Sequence, residues 1–301
     1  MEFRAPPPLG PGSLVAVVAP ASPFDREELF RGLAWLGTRY RLRLSSRILT
    51  RSGYLAGDDA RRAAELARAM LDPAVEAIVC ARGGYGAMRI LDALPWEAFA
   101  SRPKWLAGFS DITALHVEAQ ARGVCSLHAM NVTGLGRSIR ALERLAFVDA
   151  LEGRPAAPWS SLEIVHGCGS ERPTARGPIV GGNLALVVAM AAAGRLVVPE
   201  GAIVLLEDVT ERPYRVDRML TSLRLGGYFT RASAIVFGGF TQCEPGSDGV
   251  TVTEVLRERT ADLAIPVLAG APFGHGSPNQ AVVLGAIATI DGTTMHFARS
   301  L

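Results

Sequence analysis

A serine stands where a buried strand gives way to a helix, in the turn Gly108-Phe109-Ser110-Asp111. Such a bend presents the hydroxyl outward, and free amides of the following helix turn point into the same space. The pattern is similar to a nucleophile elbow, although Ile112 replaces the second glycine of Gly-x-Ser-x-Gly. The alternative is that Ser110 or Asp111 only caps the helix, as both residue types commonly do.

A glycine-rich turn, Arg82-Gly83-Gly84-Tyr85-Gly86, follows another apolar strand. Glycines let the backbone approach a ligand and offer free amides to negative charge. The turn has neither the Gly-x-Gly-x-x-Gly spacing nor the Gly-Lys-Ser/Thr of a phosphate loop, which argues against a nucleotide-dependent enzyme. An ordinary tight turn is the alternative. Both turns lie at the carboxyl edge of the expected sheet, where ligands of such sheets bind.

The chain has five histidines, and His275 differs from the rest because it lies in a loop of small residues, at 273–279. Flanking glycines leave an imidazole room to meet a substrate, and loops often carry function. His128 follows an apolar run and is either near the site or a hydrogen-bonded core residue. His116 is expected on a helix face.

A glutamate, Glu207, directly ends the apolar strand at 202–206 rather than lying on a solvated helix. The alternative role is a structural ion pair with Arg212 or Arg215. A serine, a loop histidine and a strand-end glutamate fit one mechanism. The histidine takes the serine proton, and the glutamate fixes the imidazole tautomer.

These residues require elements that bring them together. Apolar strands predicted at 14–19, 75–81 and 105–107 alternate with helices at 25–37, 58–71 and 112–121. Such alternation indicates an α/β fold with a parallel sheet covered on both faces. Further helices are predicted at 184–193, 216–225 and 252–259, and further strands at 202–206, 234–237, 267–268 and 282–290.

Glycines and prolines punctuate residues 151–177 without clear periodicity, which predicts a linker there. Residues 1–150 then form an N-terminal, flavodoxin- or Rossmann-like domain that carries the serine. Residues 178–301 form a smaller C-terminal α/β domain that carries the glutamate and the histidine. The candidate site would span the domain interface, a usual place for a pocket.

The composition excludes some partners. Among 301 residues, 31 Lys and Arg nearly balance 29 Asp and Glu, so a strongly electrostatic nucleic-acid binder is excluded. The four cysteines are dispersed without Cys-x-x-Cys spacing, which favours free thiols in a reducing compartment over a zinc or redox site. Apolar runs are too short to span a membrane. We therefore expect a cytoplasmic protein with no nucleic-acid or membrane partner.

The chain resembles the LD-carboxypeptidases, serine peptidases that cleave an L,D amide bond. Eight blocks lie in the order that this family has, and they cover most of the chain from about residue 14 to 290. The blocks are VVAPASP (17–23), GYLAGDDARRAAEL (53–66), ARGGYGAMRILD (81–92), GFSDITALH (108–116), VGGNL (180–184), LLEDV (205–209), ERPYRVDRML (211–220) and GHGSPN (274–279).

The resemblance implies a role for each candidate residue. Ser110 would be the nucleophile, Glu207 the orienting acid and His275 the general base. Backbone amides near Gly84 and at Asp111 would hold the oxyanion. The family's usual substrate is a murein tetrapeptide, from which the enzyme removes the terminal D-Ala at the L-centre of diaminopimelate during peptidoglycan recycling. A homodimer is usual, and no metal or organic cofactor is implied.

A carboxypeptidase must recognise a free carboxylate, and the arginine fork suits that task. Arg82 beside the glycine turn is the candidate, with pairing to a structural carboxylate as the alternative. Asn183 either donates to the substrate or caps the helix at 184–193.

Two other functions remain open. The same family includes microcin C self-immunity peptidases, which hydrolyse an aminoacyl-nucleotide toxin. Those would need an aromatic platform for the base, for which Trp159 and Trp96 are the candidates. The other hypothesis is a non-catalytic protein that binds a small anion in a cleft between two domains.

Overall fold

Two sheets, each flanked by helices, make up the computed structural model, which describes residues 2–137 and 141–298. The strands are β1 (Leu14–Val18), β2 (Arg41–Leu44), β3 (Ala77–Cys80), β4 (Trp105–Gly108), β5 (Ser126–His128), β6 (Glu163–His166), β7 (Thr174–Asn183), β8 (Ala202–Val209), β9 (Ala232–Thr241), β10 (Val267–Ala269), β11 (Val282–Leu284), β12 (Ile287–Asp291) and β13 (Thr294–Phe297). The helices are α1 (Arg26–Gly37), α2 (Asp59–Leu71), α3 (Trp96–Ser101), α4 (Thr113–Ala121), α5 (Val132–Gly136), α6 (Ala141–Leu151), α7 (Leu184–Ala192), α8 (Pro213–Leu225) and α9 (Val252–Thr260).

The first sheet has the strand order β11-β5-β4-β3-β1-β2. Its five N-terminal strands are parallel, and β11 pairs antiparallel with β5. Apolar side chains of α2 and α4 pack on one face, and those of α1, α5 and α6 pack on the other. Because both faces are covered, β1, β3 and β4 are buried throughout, as their uninterrupted apolar sequences predict.

The second sheet has the order β13-β12-β7-β8-β9-β10-β6. Its four central strands, β7 to β10, are parallel, while β6 and β12 pair antiparallel with the outer two of them. The expected α/β class with two sheets is confirmed.

Local chemistry explains where the first helices begin. The Asp25 carboxylate accepts a hydrogen bond from the Glu28 amide at 2.8 Å, and the Asp58 carboxylate accepts one from the Arg61 amide at 2.7 Å. Both aspartates are in extended conformation just before α1 and α2, so they satisfy amides that have no partner inside the helix. The helix starts predicted at these positions are confirmed.

Two stretches differ from the sequence-based expectation. The strand expected at 282–290 is broken at Gly285 into β11 and β12, which lie in different sheets. The predicted linker at 151–177 contains β6 and the first residues of β7. β6 is an edge strand with mostly half-exposed side chains, so it lacks the apolar pattern that would reveal a strand. The division into domains at this stretch stays a prediction.

No helix in the described ranges is both long and apolar enough to cross a membrane.

Candidate active site

One residue, Phe109, separates Ser110 from the end of β4. Ser110 begins a short 3-10 helix over Ser110–Ile112. Its φ is 67°, a left-handed conformation that a non-glycine residue adopts only where the surroundings enforce it. A Cβ built on Gly83 would lie 2.9 Å from the Ser110 Cβ, so glycine is needed where the two turns touch. The strained, tightly packed bend presents the hydroxyl at the carboxyl edge of the first sheet.

The three candidate residues from the two halves of the chain converge. The His275 Nε2 lies 3.0 Å from the Ser110 Oγ, and the His275 Nδ1 lies 2.7 Å from the Glu207 Oε2. The Glu207 side chain is 0% exposed and that of His275 is 16% exposed. A serine hydroxyl, an imidazole and a buried carboxylate therefore form one hydrogen-bonded chain that opens to solvent at the serine end.

The position of Glu207 differs from the expectation in one respect. It lies inside β8 rather than at its end, beside Asn183 of β7. Gly274, at φ +118°, passes so close that a Cβ there would lie 2.8 Å from the Glu207 Oε2. The alternative ion pairs do not form, because Arg215 pairs with Glu211, and Arg212 binds backbone carbonyls.

Two backbone amides beside the serine are free. Within residues 2–137 and 141–298, neither the Gly84 amide nor the Asp111 amide has a hydrogen-bond acceptor. The two turns that carry them touch, since a Cβ on Gly83 would lie 3.2 Å from the Asp111 nitrogen. Free amides next to an exposed hydroxyl form a suitable anion site.

The two candidate substrate-binding side chains have different surroundings. Arg82 is exposed and donates to the Pro23 carbonyl at 2.5 Å, and it makes no ion pair with the described carboxylates. Asn183 is buried, and it caps α7 by accepting from the Leu186 amide at 3.2 Å while donating to Asp208 at 2.8 Å. Asn183 therefore makes the helix cap expected as the alternative, and a contact of its side chain with substrate stays a prediction.

His116 lies in α4, as expected, and its buried side chain supports the serine turn. Its Nε2 donates to the Gly108 carbonyl at 2.9 Å, so its Nδ1 accepts from the Ser126 hydroxyl, also at 2.9 Å. Complete burial lowers the pKa of His116 to about 4, which keeps the ring neutral. The local sequence carries no clear signal for this role, since α4 also contains Thr113, Glu118 and Gln120.

His128 lies near the site without joining the hydrogen-bonded chain. It packs against Phe109, Phe273 and His116, and neither ring nitrogen has a partner among the described residues. Burial lowers its pKa to about 3. His128 is thus a buried core residue near the site, but the hydrogen bonds expected of a core histidine are missing among the described residues.

Neither proposed aromatic platform is accessible. Trp159 is buried against Phe273 and donates to Gln280, and Trp96 is buried and donates to the Leu91 carbonyl. The expectation that these tryptophans face a ligand is therefore wrong, because large apolar rings gain more from core packing.

Other candidate sites lie elsewhere or are missing. Over the described ranges, no group of three His, Cys, Asp or Glu side chains is placed to hold a metal ion. A cavity of about 380 Å³ lies between α6 and β11, and Ser110, Glu207 and His275 do not line it.

Comparisons with known proteins give the family. Residues 15–129 match the model of the LD-carboxypeptidase N-terminal domain, and residues 176–290 match that of the C-terminal domain. The murein tetrapeptide carboxypeptidase of Pseudomonas aeruginosa is 32% identical over 293 residues, which are 94% of each chain.

Solved structures agree with this family. The crystal structure of muramoyltetrapeptide carboxypeptidase from Oxalobacter formigenes superposes with a TM-score of 0.82 at 25% identity, covering 94% of this chain and 97% of that one. An MccF-like protein from Bacillus anthracis superposes with a TM-score of 0.83 at 21% identity, covering 98% and 99%, and shares the fold. The chain therefore belongs to the LD-carboxypeptidase family of serine peptidases, and it is a carboxypeptidase.

Proposed function

We propose that the protein is a serine L,D-carboxypeptidase that releases the terminal D-Ala from murein tetrapeptide in peptidoglycan recycling. The hydrogen-bonded chain from Ser110 through His275 to buried Glu207 carries the proposal. The names of the Pseudomonas and Oxalobacter relatives support the substrate class.

In the first step, the Ser110 Oγ attacks the carbonyl carbon of the L-centre residue. His275 takes the hydroxyl proton at Nε2, and the Glu207 carboxylate stabilises the resulting imidazolium through Nδ1. The carbonyl oxygen becomes an oxyanion, which the amides of Gly84 and Asp111 stabilise by hydrogen bonds. The tetrahedral intermediate then collapses, and His275 gives its proton to the departing D-Ala amine.

The second step hydrolyses the acyl-enzyme. A water molecule gives a proton to His275 and attacks the ester carbon, again forming an oxyanion between the same amides. Collapse returns the proton to the Ser110 oxygen and releases the tripeptide acid. The His275 side chain is 16% exposed, so solvent water reaches the ring.

The D-Ala carboxylate needs a cation, and Arg82 is our candidate. It is exposed, lies next to Gly83 of the oxyanion turn, and has no carboxylate partner among the described residues. Its guanidinium can form two hydrogen bonds to a carboxylate.

The decisive test is Ser110→Ala. Loss of the nucleophile should leave the fold intact and reduce D-Ala release from murein tetrapeptide by about 10⁴-fold or more. The measurement is D-Ala released per folded enzyme, with circular dichroism as the folding control. Turnover near that of the unmodified enzyme would refute the assignment of the nucleophile.

The alternatives predict different products. A microcin-type peptidase would hydrolyse an aminoacyl sulfamoyl adenosine in a parallel assay, but the buried Trp159 and Trp96 give it no base platform. A non-catalytic binder would bind tetrapeptide without releasing D-Ala, and its Ser110 would not react with a serine-directed covalent probe.

We also propose a homodimer in the cytoplasm. Exposed Leu142 and Leu145 of α6 border the apolar cavity, which supports self-association there. The four unpaired cysteines suit a reducing compartment. Light scattering of the protein and of Leu145→Glu tests the dimer, and cell fractionation tests the location.

A further inference from the structure

The Asp111 side chain reaches from the serine turn to the end of the glycine-rich turn. It is 2% exposed, and its Oδ2 accepts a hydrogen bond from the Ala87 amide at 2.8 Å. The Gly86 amide also interacts with this carboxylate. The residue whose own amide lies free beside Ser110 therefore also holds the turn that carries the second free amide.

Arg62 of α2 holds the same peptide from the other side. Its side chain is completely buried, and its Nη1 donates to the Gly86 carbonyl at 2.8 Å and to the Pro20 carbonyl. The contact is tight, since a Cβ on Gly86 would lie 2.9 Å from the Arg62 Nη1. The Gly86 φ of +122° likewise requires glycine.

Arg62 places a positive charge close to the buried Asp111 carboxylate. Burial raises the pKa of Asp111 above its usual value, although the Ala87 amide, the positive charge of Arg62 and the Gly86 amide act in the opposite direction. Arg62 also forms an ion pair with Asp59 at the surface end of its guanidinium. A buried cation and a buried carboxylate on opposite sides of one glycine hold it more firmly than a glycine-rich turn can hold itself.

We propose that Arg62 and Asp111 are positioning residues that fix the Gly84 amide for transition-state stabilisation. This inference rests on the proposed serine peptidase function. Gly84 lies two residues before the clamped Gly86. Ser22 holds the chain on both sides of Gly84, because its amide donates to the Gly83 carbonyl at 3.2 Å and its hydroxyl accepts from the Tyr85 amide at 3.0 Å. Arg62 and Asp111 add the fixed point on the Gly86 side. The Asp111 side chain thus places one oxyanion donor, while the Asp111 backbone supplies the other.

The test uses Asp111→Ala and Arg62→Met, with Asp59→Asn as the matched control that weakens the outer ion pairs of Asp59 with Arg62 and Arg89 and leaves the contacts of Arg62 with Gly86 and Pro20 in place. Loss of one oxyanion donor typically lowers kcat by 10²–10³-fold, so we expect a decrease of about 10²-fold in both variants. A boronic acid analogue of the substrate's acyl part, which forms a tetrahedral adduct with serine, should bind weaker by the same factor. Asp59→Asn should stay within about threefold of the unmodified enzyme in both measurements.

A second measurement separates positioning from general damage. In a Ser110→Ala background, the Kd for intact tetrapeptide should change by less than about threefold on adding Asp111→Ala, because the ground state does not need the oxyanion donors. Asp111→Asn keeps one acceptor oxygen for the Ala87 amide, folds more readily, and should show an intermediate loss of kcat.

Unchanged kcat in folded Asp111→Asn and Arg62→Met, or an equal loss of tetrapeptide and boronate affinity, would overturn the inference. Absence of D-Ala release by the unmodified enzyme would instead refute the proposed function on which it rests.

Discussion

Glu207 is completely buried, and its carboxylate is hydrogen-bonded to His275. Its Oε2 holds the His275 Nδ1 at 2.7 Å, while its Oε1 has no hydrogen-bond partner among the described residues. With no other donor described around it, this carboxylate is placed to stabilise an imidazolium and to select the tautomer with its proton on Nδ1.

We therefore predict that Glu207→Gln lowers kcat by about 10⁴-fold, the loss seen when the acid of a serine triad becomes an amide. The amide NH₂ favours the wrong tautomer and leaves the imidazolium without a counter-ion. Steady-state kinetics with murein tetrapeptide measures the effect. Glu211→Gln, which alters a surface ion pair nearby, is the control, and a loss below tenfold in Glu207→Gln would contradict the triad.

The assignment of Arg82 predicts how the enzyme recognises the terminal carboxylate of its substrate. If it binds the D-Ala carboxylate, Arg82→Ala should raise KM by about 10- to 100-fold with little change in kcat, since hydrogen bonds to charged groups contribute about 1.5–3 kcal/mol. Kinetics with tetrapeptide and with its C-terminal amide measure this, because the amide should lose nothing further in the variant. Arg89→Ala, at an arginine already paired with Asp59, is the control. An unchanged KM would exclude Arg82 as the carboxylate ligand.

At the scale of elements, the start of α7 supports β8, the strand that carries Glu207. Asn183 caps the helix and donates to Asp208, whose carboxylate also accepts from the Ala185 amide. Asn183→Ala should destabilise the protein by about 2–3 kcal/mol, from the lost cap and the lost hydrogen bond to the buried Asp208 carboxylate. Urea unfolding measures this, and KM should not change in the folded variant.

Asn183→Ser, which keeps a capping oxygen, should recover part of that stability. A raised KM in either folded variant would return Asn183 to the substrate site.

Elements with strong local signals could be predicted from the sequence. Asp25 and Asp58 cap their helices as expected, and the apolar β1 and β3 are buried strands. Both turns of the site were located because glycines and a serine directly follow such strands. The convergence of Ser110, Glu207 and His275 was reached from residue types and resemblance together.

Features fixed by long-range pairing could not be predicted. β6 forms a strand by pairing with β10, which is distant in sequence. β11 pairs with β5 and so lies in a different sheet from β12, its neighbour in the chain. The roles of His116 and Arg62 depend on hydrogen bonds to the Gly108 and Gly86 carbonyls, which no helix or strand periodicity indicates. The buried tryptophans were misjudged for the same reason.

For the whole molecule, the buried histidines predict a loss of stability in acid. An unfolded histidine has a pKa near 6.5, whereas the pKa is about 4 for His116 and about 3 for His128. Between these values the unfolded chain binds protons that the folded protein does not, so stability rises with pH. At pH 5 each histidine should cost about 2 kcal/mol relative to neutral pH.

His128→Leu isolates this contribution. The variant should lose less stability than the unmodified protein between pH 7 and pH 5, by about 2 kcal/mol in urea unfolding. The comparison cancels Asp208, whose pKa burial raises to about 6 and which acts in the opposite direction. Identical pH dependence of both proteins would show that His128 takes up its proton in the folded state.

The position of β11 in the first sheet has a consequence for fragments of this protein. His275 lies between β10 of the second sheet and β11 of the first, so the segment that carries this histidine is held by a strand of each sheet. A fragment ending near residue 150 would lack β11. The backbone of β5 would then be an unpaired sheet edge, to which strands of other chains could pair. Dividing the chain near residue 150 would therefore separate His275 from Ser110 and leave one edge of the first sheet without its partner strand, so a function that needs both residues requires the undivided chain.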